Sequence, residues 1–209
     1  MKIINADAIL MFDPNGYEAL KRIEAVARTC YKSENLISDG SAEKMVKNLI
    51  RNGHEAMLEH YSFTAKFICD RGVSHEIVRH RIASYAQEST RYCNYSKDKF
   101  GNELTFIKPC FWDENSDQYR DWKSAMHMAE SHYFDLLQQG ATPQEARSVL
   151  PNSLKTELIM TANIREWRNF FKLRTDKAAH PQMREVATIL LNKCHKTFPI
   201  LFDDIIVNP

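Results

Sequence analysis

Residues 2–10 are apolar apart from Lys2, Asn5 and Asp7, and they predict a first strand. The DPNG stretch at 13–16 is turn chemistry, and it precedes a helix from about Tyr17 to Ala27. A second helix over about 42–52 would bury Met45, Val46, Leu49 and Ile50, with Ser41 as its N-cap and Gly53 at its end. Tyr61, Phe63, Ala65, Phe67 and Cys69 then alternate with Ser62, Thr64 and Lys66, the period of a half-buried strand over 61–69. A helix from about Val73 to Ile82 follows. The segment 92–111 is polar in its middle and reads as an excursion between short strands, and 113–139 has helical composition that ends at Gly140. Thr142, Pro143 and Glu145 form a capping box with proline at the first helical position, starting a short helix that carries Arg147 and stops at Pro151. Residues 153–163 fit a strand or a helix equally well, 164–173 is helical, and 182–197 is an amphipathic helix. The pattern predicts an α+β fold in one domain over residues 1–209.

Composition narrows the classes. At 209 residues and 44% hydrophobic, the chain can bury one sizeable core, about 70% of its unfolded surface by size scaling. With 28 Lys+Arg against 27 Asp+Glu the net charge is +1, which argues against a protein that tracks a nucleic-acid backbone. Local arginine clusters in such a chain point to small anionic ligands. Cys30, Cys69, Cys93, Cys110 and Cys194 are odd in number and contain no C-x-x-C pair, which fits a reducing compartment. MKIINADAIL lacks a signal-peptide core and no run approaches membrane-spanning length, so a soluble cytoplasmic protein is expected.

Two histidine stretches invite a metal reading, HEAMLEH at 54–60 and HEIVRH at 75–80. A helical zinc pair needs histidines four apart on one face; spacings of six and five turn the second ring away, and no metal is expected. Cys93 lies beside an arginine cluster, but no His and acid can be assigned to activate it as a nucleophile.

That cluster, RHRIASYAQESTRY at 79–92, carries hydrogen-bonding groups at nearly every other position. On a helix, Arg79, His80 and Arg81 would fan over most of the circumference, so they must serve different ligand groups or different subunits. Guanidinium forks suit phosphate and planar polar rings. A second cluster lies at 163–185: Arg165 and Asn169 share a helix face, Arg174 is turned by about 140° from Asn169, and Trp167, Phe170 and Phe171 fill the core. Arg147 on the preceding helix is a third basic group.

Together these stretches resemble the flavin-dependent thymidylate synthase family. Its signature, R-H-R followed after seven residues by S, is matched by Arg79, His80, Arg81 and Ser89, and continues to Arg91 and Tyr92. The resemblance takes in ARTCY at 27–31, HEAMLEH at 54–60, ARSVLP at 146–151 and NIREWRNFFKLR at 163–174, in order over most of the chain. It implies α+β homotetramers with mixed helices and an antiparallel-rich sheet, each active site lying between subunits. It also implies FAD, electrons from NADPH, and conversion of dUMP to dTMP with the methylene of methylenetetrahydrofolate.

Carried over residue by residue, Arg79, His80 and Arg81 would contact FAD, with Asn163, Arg165 and Asn169. Glu76, Arg79, Gln87, Ser89, Arg91, Arg147 and Arg174 would line the dUMP site, arginines and the serine holding the phosphate. Arg174 is the expected catalytic residue, a fixed cation for charge developing on the uracil ring. His54 would sit near the folate or nicotinamide side. The family commonly has Asn and Glu where this chain has Ala86 and Gln87, and Pro where it has Met57. Gln87 replaces a carboxylate that can contact flavin or nucleotide, keeping its geometry as an amide that donates and accepts. An acid at Glu76, where a neutral amide can occur, could discriminate a cytosine amino group from a uracil carbonyl. The alternatives are the same chemistry on another pyrimidine nucleotide such as dCMP, or a non-catalytic nucleotide-binding paralogue.

Overall fold

The computed structural model describes residues 1–97 and 101–207; residues 98–100, inside the expected excursion at 92–111, lie outside the described residues. The chain forms two compact units. One comprises Met1–Asp7, Phe67–Arg79 and Ala86–Leu158, the other Ala8–Lys66, His80–Tyr85 and Ile159–Pro209.

The expected first strand is two strands. β1 (Lys2–Ile4) pairs in parallel with β5 (Thr105–Ile107), whereas β2 (Asp7–Met11) belongs to a four-stranded sheet in which it is followed in order by β3 (Ser62–Asp70), β6 (Lys155–Asn163) and β4 (Ala83–Gln87). The break falls at Asn5 and Ala6, where a polar side chain interrupts the apolar run. β3 (Ser62–Asp70) buries Phe63, Ala65, Phe67 and Cys69, as the alternation predicts. The segment that fitted either element is a strand, β6 (Lys155–Asn163), burying Thr156, Leu158, Met160 and Ala162 with period two. It runs antiparallel to β3. Ile164 N–H donates to the Tyr61 carbonyl (3.0 Å), the Thr64 and Thr161 hydroxyls meet at 2.8 Å, and Arg71 N–H donates to the Leu154 carbonyl (3.1 Å), so numbers rise along one strand as they fall along the other.

In the first unit, Ser116 caps α4 (Asp117–Gln138) by accepting from Tyr119 N–H. Tyr119, Trp122, Met126 and Tyr133 recur at helical spacing and pack with Leu104, Phe106, Ala146 and Leu154. The capping box of α5 (Pro143–Ala146) is formed: Glu145 accepts from both the N–H and the hydroxyl of Thr142, each at 2.7 Å. Arg147 follows as the first residue of a 3-10 turn to Val149 rather than lying within the helix.

The expected helix over 73–82 is corrected. α3 (Arg71–Ile77) starts at the Asp70 cap, whose Oδ1 accepts from Val73 N–H at 2.7 Å, and ends at Val78. Residues 83–87 form β4 (Ala83–Gln87), a strand the pattern did not predict.

The second unit holds α1 (Gly16–Thr29), α2 (Ser41–Arg51), α6 (Ile164–Arg174) and α7 (Pro181–Thr197). Ser41, expected as an N-cap, is the first helical residue, and Gly40 takes the cap position at φ +71°, where a side chain would be strained. The Ser41 hydroxyl instead lies 2.9 Å from the buried Glu24 carboxylate, which Arg28 also meets at 2.8 Å. Phe63 stacks on Trp167 (4.7 Å) and on Phe198 (4.6 Å), and Phe171 meets Phe202 edge-on at 5.4 Å. Arg168 lies 1% exposed, giving two hydrogen bonds to Asp204 (2.7 and 2.6 Å) and one to Glu55 (3.3 Å). Gly16 approaches the end of α7 so closely that a Cβ there would fall 2.2 Å from the Thr197 carbonyl oxygen. Among the described residues, no helix is long and apolar enough to cross a membrane.

Candidate active site

The link between α3 and β4 carries the first arginine cluster. Arg79 and Arg81 are exposed while His80 between them is buried. Burial alternates along Arg79, His80 and Arg81 because the chain has left the helix, not because a helix fans them. His80 belongs to the second unit, and α6 supplies its partners.

His80 Nδ1 lies 2.7 Å from Glu166 Oε1, and Arg174 Nε donates to His80 Nε2 at 3.1 Å. A guanidinium has only donors, so Nε2 must accept; the ring proton then sits on Nδ1 and is donated to Glu166. His80 is therefore neutral here. Burial pushes its pKa below the usual value, the Arg174 charge pushes the same way, and Glu166 pulls it partly back. Phe170 packs edge-on against the imidazole with centroids 5.0 Å apart. Tyr85 donates to the His80 carbonyl at 2.6 Å, and burial, helped by the charge of Glu166, pushes its phenol up to about 12. Thus Tyr85 remains a donor at any physiological pH.

The start of α6 forms one wall of a cavity. Asn163 is the N-cap, its Oδ1 accepting from Glu166 N–H at 2.9 Å, which leaves its amide nitrogen as its donor. Asn169 Nδ2 lies 3.3 and 3.4 Å from the two Glu166 oxygens. Asn163, Arg165, Glu166 and Asn169, with Glu55, Glu59, Ile82 and Lys172, line a cavity of about 460 Å³, within the range of small-molecule sites. The shared face expected for Arg165 and Asn169 is present. Arg165 pairs with Glu59 at 2.6 Å, so the acids of HEAMLEH hold arginines. His54 is exposed and precedes a 3-10 turn over Glu55–His60. Among the described residues, no group of three His, Cys, Asp or Glu side chains could hold a metal ion.

The first unit holds the other expected residues. The Ser74 hydroxyl donates to the Arg71 carbonyl at 2.8 Å, so toward Gln87 it can only accept, and Gln87 Nε2 donates to it at 2.9 Å. Nε2 also reaches Thr156 Oγ1 at 3.3 Å. The amide orientation is thereby fixed with Oε1 as its acceptor. Beyond β4, Glu88 binds Lys155 (3.0 Å) and the Tyr95 hydroxyl (2.9 Å), and Lys155 also meets Glu157 at 2.9 Å. Burial alone would lower the Lys155 pKa, but its bonds to Glu157 and Glu88 raise it. This frame anchors the loop that carries Ser89 and Arg91. Ser89 Oγ accepts from Arg91 N–H (3.3 Å), the exposed Arg91 guanidinium lies 5.3 Å from the Tyr92 ring centre, and Arg147 donates to Thr90 of the same loop at 3.3 Å. Ser89, Arg91 and Arg147 are so brought together. Glu76 is half-buried on α3, and the exposed Arg79 donates its N–H to the Glu76 carbonyl at 3.2 Å.

Glu166, Tyr85, Ser74 and Glu88 were not singled out from the sequence. Only Glu166 left a trace there, as the acid three residues after a capping asparagine, and that signal speaks of helix initiation rather than of a site.

Residues 15–200 match the family described as thymidylate synthase complementing protein. The flavin-dependent thymidylate synthase of Geobacter sulfurreducens is 32% identical over 204 residues, covering 94% of this chain and 85% of the relative. That of Pyrococcus furiosus is 37% identical over 161 residues, covering 77% of this chain; the match spans 65% of the relative's length. A UMP/dUMP methylase, PolB from Streptomyces cacaoi, in a crystal structure with 5-Br dUMP, shares the fold with a TM-score of 0.79 at 24% identity over 96% of this chain and 95% of that one. A match over residues 15–200, backed by relatives above 30% identity, means that this chain belongs to the thymidylate synthase complementing protein family, the flavin-dependent thymidylate synthases.

Proposed function

We propose that the chain, acting as one functional domain over residues 1–209, catalyses FAD-dependent reductive methylation of dUMP to dTMP with methylenetetrahydrofolate and NADPH as co-substrates. The observation that carries this reading is the convergence in the second unit of His80, from the signature stretch, with Asn163, Glu166, Asn169 and Arg174, beside a cavity of about 460 Å³. The donor set fits a flavin: the amides of Asn163 and Asn169 suit the polar edge of a planar ring, and the Arg165 guanidinium suits phosphate. Arg165 would exchange Glu59 for that ligand. With flavin bound, the chemistry supplied there would be the hydride that completes the methyl group. Arg79, His80, Arg81 and Gln87 are the further residues we assign to flavin.

For dUMP, we assign Ser89, Arg91 and Arg147 to the phosphate, since one loop and its docked arginine gather a hydroxyl and two guanidinium groups. Glu76, Arg79 and Gln87 complete the nucleotide contacts; Gln87, with its amide nitrogen committed, offers a carbonyl oxygen that suits the N3–H of uracil. Arg174 is assigned to the uracil ring. Its Nε is held by His80, so the guanidinium plane is set before negative charge develops on the ring. We further propose a homotetramer with active sites between subunits, working in the cytoplasm, where a nucleotide substrate and a chain without disulfides among its described residues both belong.

The test is the visible spectrum of protein supplied with FAD, followed by anaerobic addition of NADPH with and without dUMP, and then dTMP formation once methylenetetrahydrofolate is added. Flavin binding, bleaching stimulated by dUMP, and dTMP support the reading. Turnover of dCMP alone would move the substrate to another pyrimidine nucleotide, and nucleotide binding without flavin would leave a non-catalytic binder.

A further inference from the structure

We infer that Glu166 is a positioning residue for this reaction, acting on Arg174 through the neutral ring of His80. The inference rests on the reading above. Glu166 is 7% and His80 5% exposed, so neither is a solvated surface group. A carboxylate so enclosed is held only because it is satisfied, and it is: by His80 Nδ1 at 2.7 Å and by Asn169 Nδ2 at 3.3 and 3.4 Å, while the backbone N–H of Glu166 is separately tied to the Asn163 cap at 2.9 Å. The carboxylate selects the imidazole tautomer with its proton on Nδ1. That choice leaves the Nε2 lone pair facing Arg174, and with it the acceptor for Arg174 Nε–H.

The alternative is that His80 and Glu166 form a satisfied core pair with no bearing on the reaction. Two features weigh against it. Both ring nitrogens are used, and the second is spent on the residue assigned to the uracil ring; and Glu166 lines the same cavity as Asn163, Arg165 and Asn169. Without Glu166, the proton on Nδ1 loses its acceptor, and only the Arg174 bond itself still favours that tautomer. A ring protonated on Nε2 would present N–H to N–H at Arg174 and turn the guanidinium away.

The experiment has two readouts. Nitrogen NMR of imidazole-labelled protein should show His80 neutral with the proton on Nδ1, and Glu166→Ala should weaken that preference so that the Nε2-protonated form becomes detectable. An Nε2-protonated ring in the unaltered protein overturns the inference whatever the enzyme does. In turnover, Glu166→Ala should lower kcat about tenfold or more while changing KM for dUMP less than about threefold, because displacement of a preorganised group by an ångström can be worth a hundredfold. In an Arg174→Ala background the same substitution should have no further effect. Glu166→Gln, which retains an acceptor for the Nδ1 proton, should stay within about threefold of the unaltered enzyme. Losses that add across the two substitutions, or an unchanged kcat in Glu166→Ala, reject the inference. If Glu166→Ala does not fold, Glu166→Asp, with its carboxylate drawn back by one methylene, enters the same cycle. If the unaltered protein makes no dTMP, the functional reading falls and the tautomer decides the device alone.

Discussion

Ser74 has one hydroxyl proton, and the Arg71 carbonyl receives it; whatever faces Ser74 Oγ must therefore bring a proton of its own. Gln87 does so, whereas the glutamate common in the family would set an acceptor against an acceptor. Gln87→Glu should lower stability by about 1 kcal/mol or more, measured by urea unfolding, unless Ser74 turns away from Arg71. An unchanged midpoint would mean that the hydroxyl turns at no cost. His80 makes a prediction about pH. Its ordinary pKa is 6.5 and folding lowers it, so below that value the unfolded chain binds more protons than the folded one. Stability should fall as pH drops through 6.5 toward the folded value. Replacing His80 by Gln should flatten this limb relative to the unaltered protein, and parallel limbs would assign the proton uptake elsewhere. Part of the arrangement was legible: Arg165 and Asn169 share the face of α6 that helix spacing predicts, whereas Arg147 falls just beyond its expected helix. Glu166, Ser74 and Tyr85 were not, since a buried acid, a serine and a tyrosine carry no pattern until their partners, some 86 residues away in the case of His80 and Glu166, are known.

Elements were legible where a local rule closes on itself. The α5 capping box, the alternation of β3 and the aromatic face of α6 need nothing distant, and all three form as expected. The link from α3 to β4 is the counter-example. Residues 79–82 carry no helix breaker, yet α3 stops at Val78 because the chain must enter a sheet in which β4 pairs with β6, some seventy residues on. Gly40 displaced Ser41 from the cap for a similar reason, the serine being drawn to Glu24 of another helix. Contact between elements also yields a prediction. Gly16 opens α1 against the last turn of α7, where a Cβ would lie 2.2 Å from the Thr197 oxygen and 2.8 Å from Phe198 Cα. Both obstacles are backbone, which cannot rotate aside. Gly16→Ala should cost about 1–3 kcal/mol in thermal or urea unfolding, although alanine is the better helix former. A neutral effect would show that the two helices part easily.

For the whole molecule, the proposed tetramer makes its own prediction. Arg147→Ala and Arg174→Ala should each lose activity by about a hundredfold. If sites lie between subunits, a mixture of the two, unfolded together and reassembled, should recover part of the turnover. Sites contained within one chain would leave the mixture as inactive as its parts. The second unit is assembled from segments far apart along the chain, and that has a consequence for synthesis. Phe63 leaves the ribosome long before Trp167 and Phe198, on which it stacks, and Arg168 waits for Asp204. At roughly 5–20 residues per second, β3 spends on the order of ten seconds with its aromatic face unpartnered, which makes this nascent chain a natural client for a chaperone that shields apolar strands.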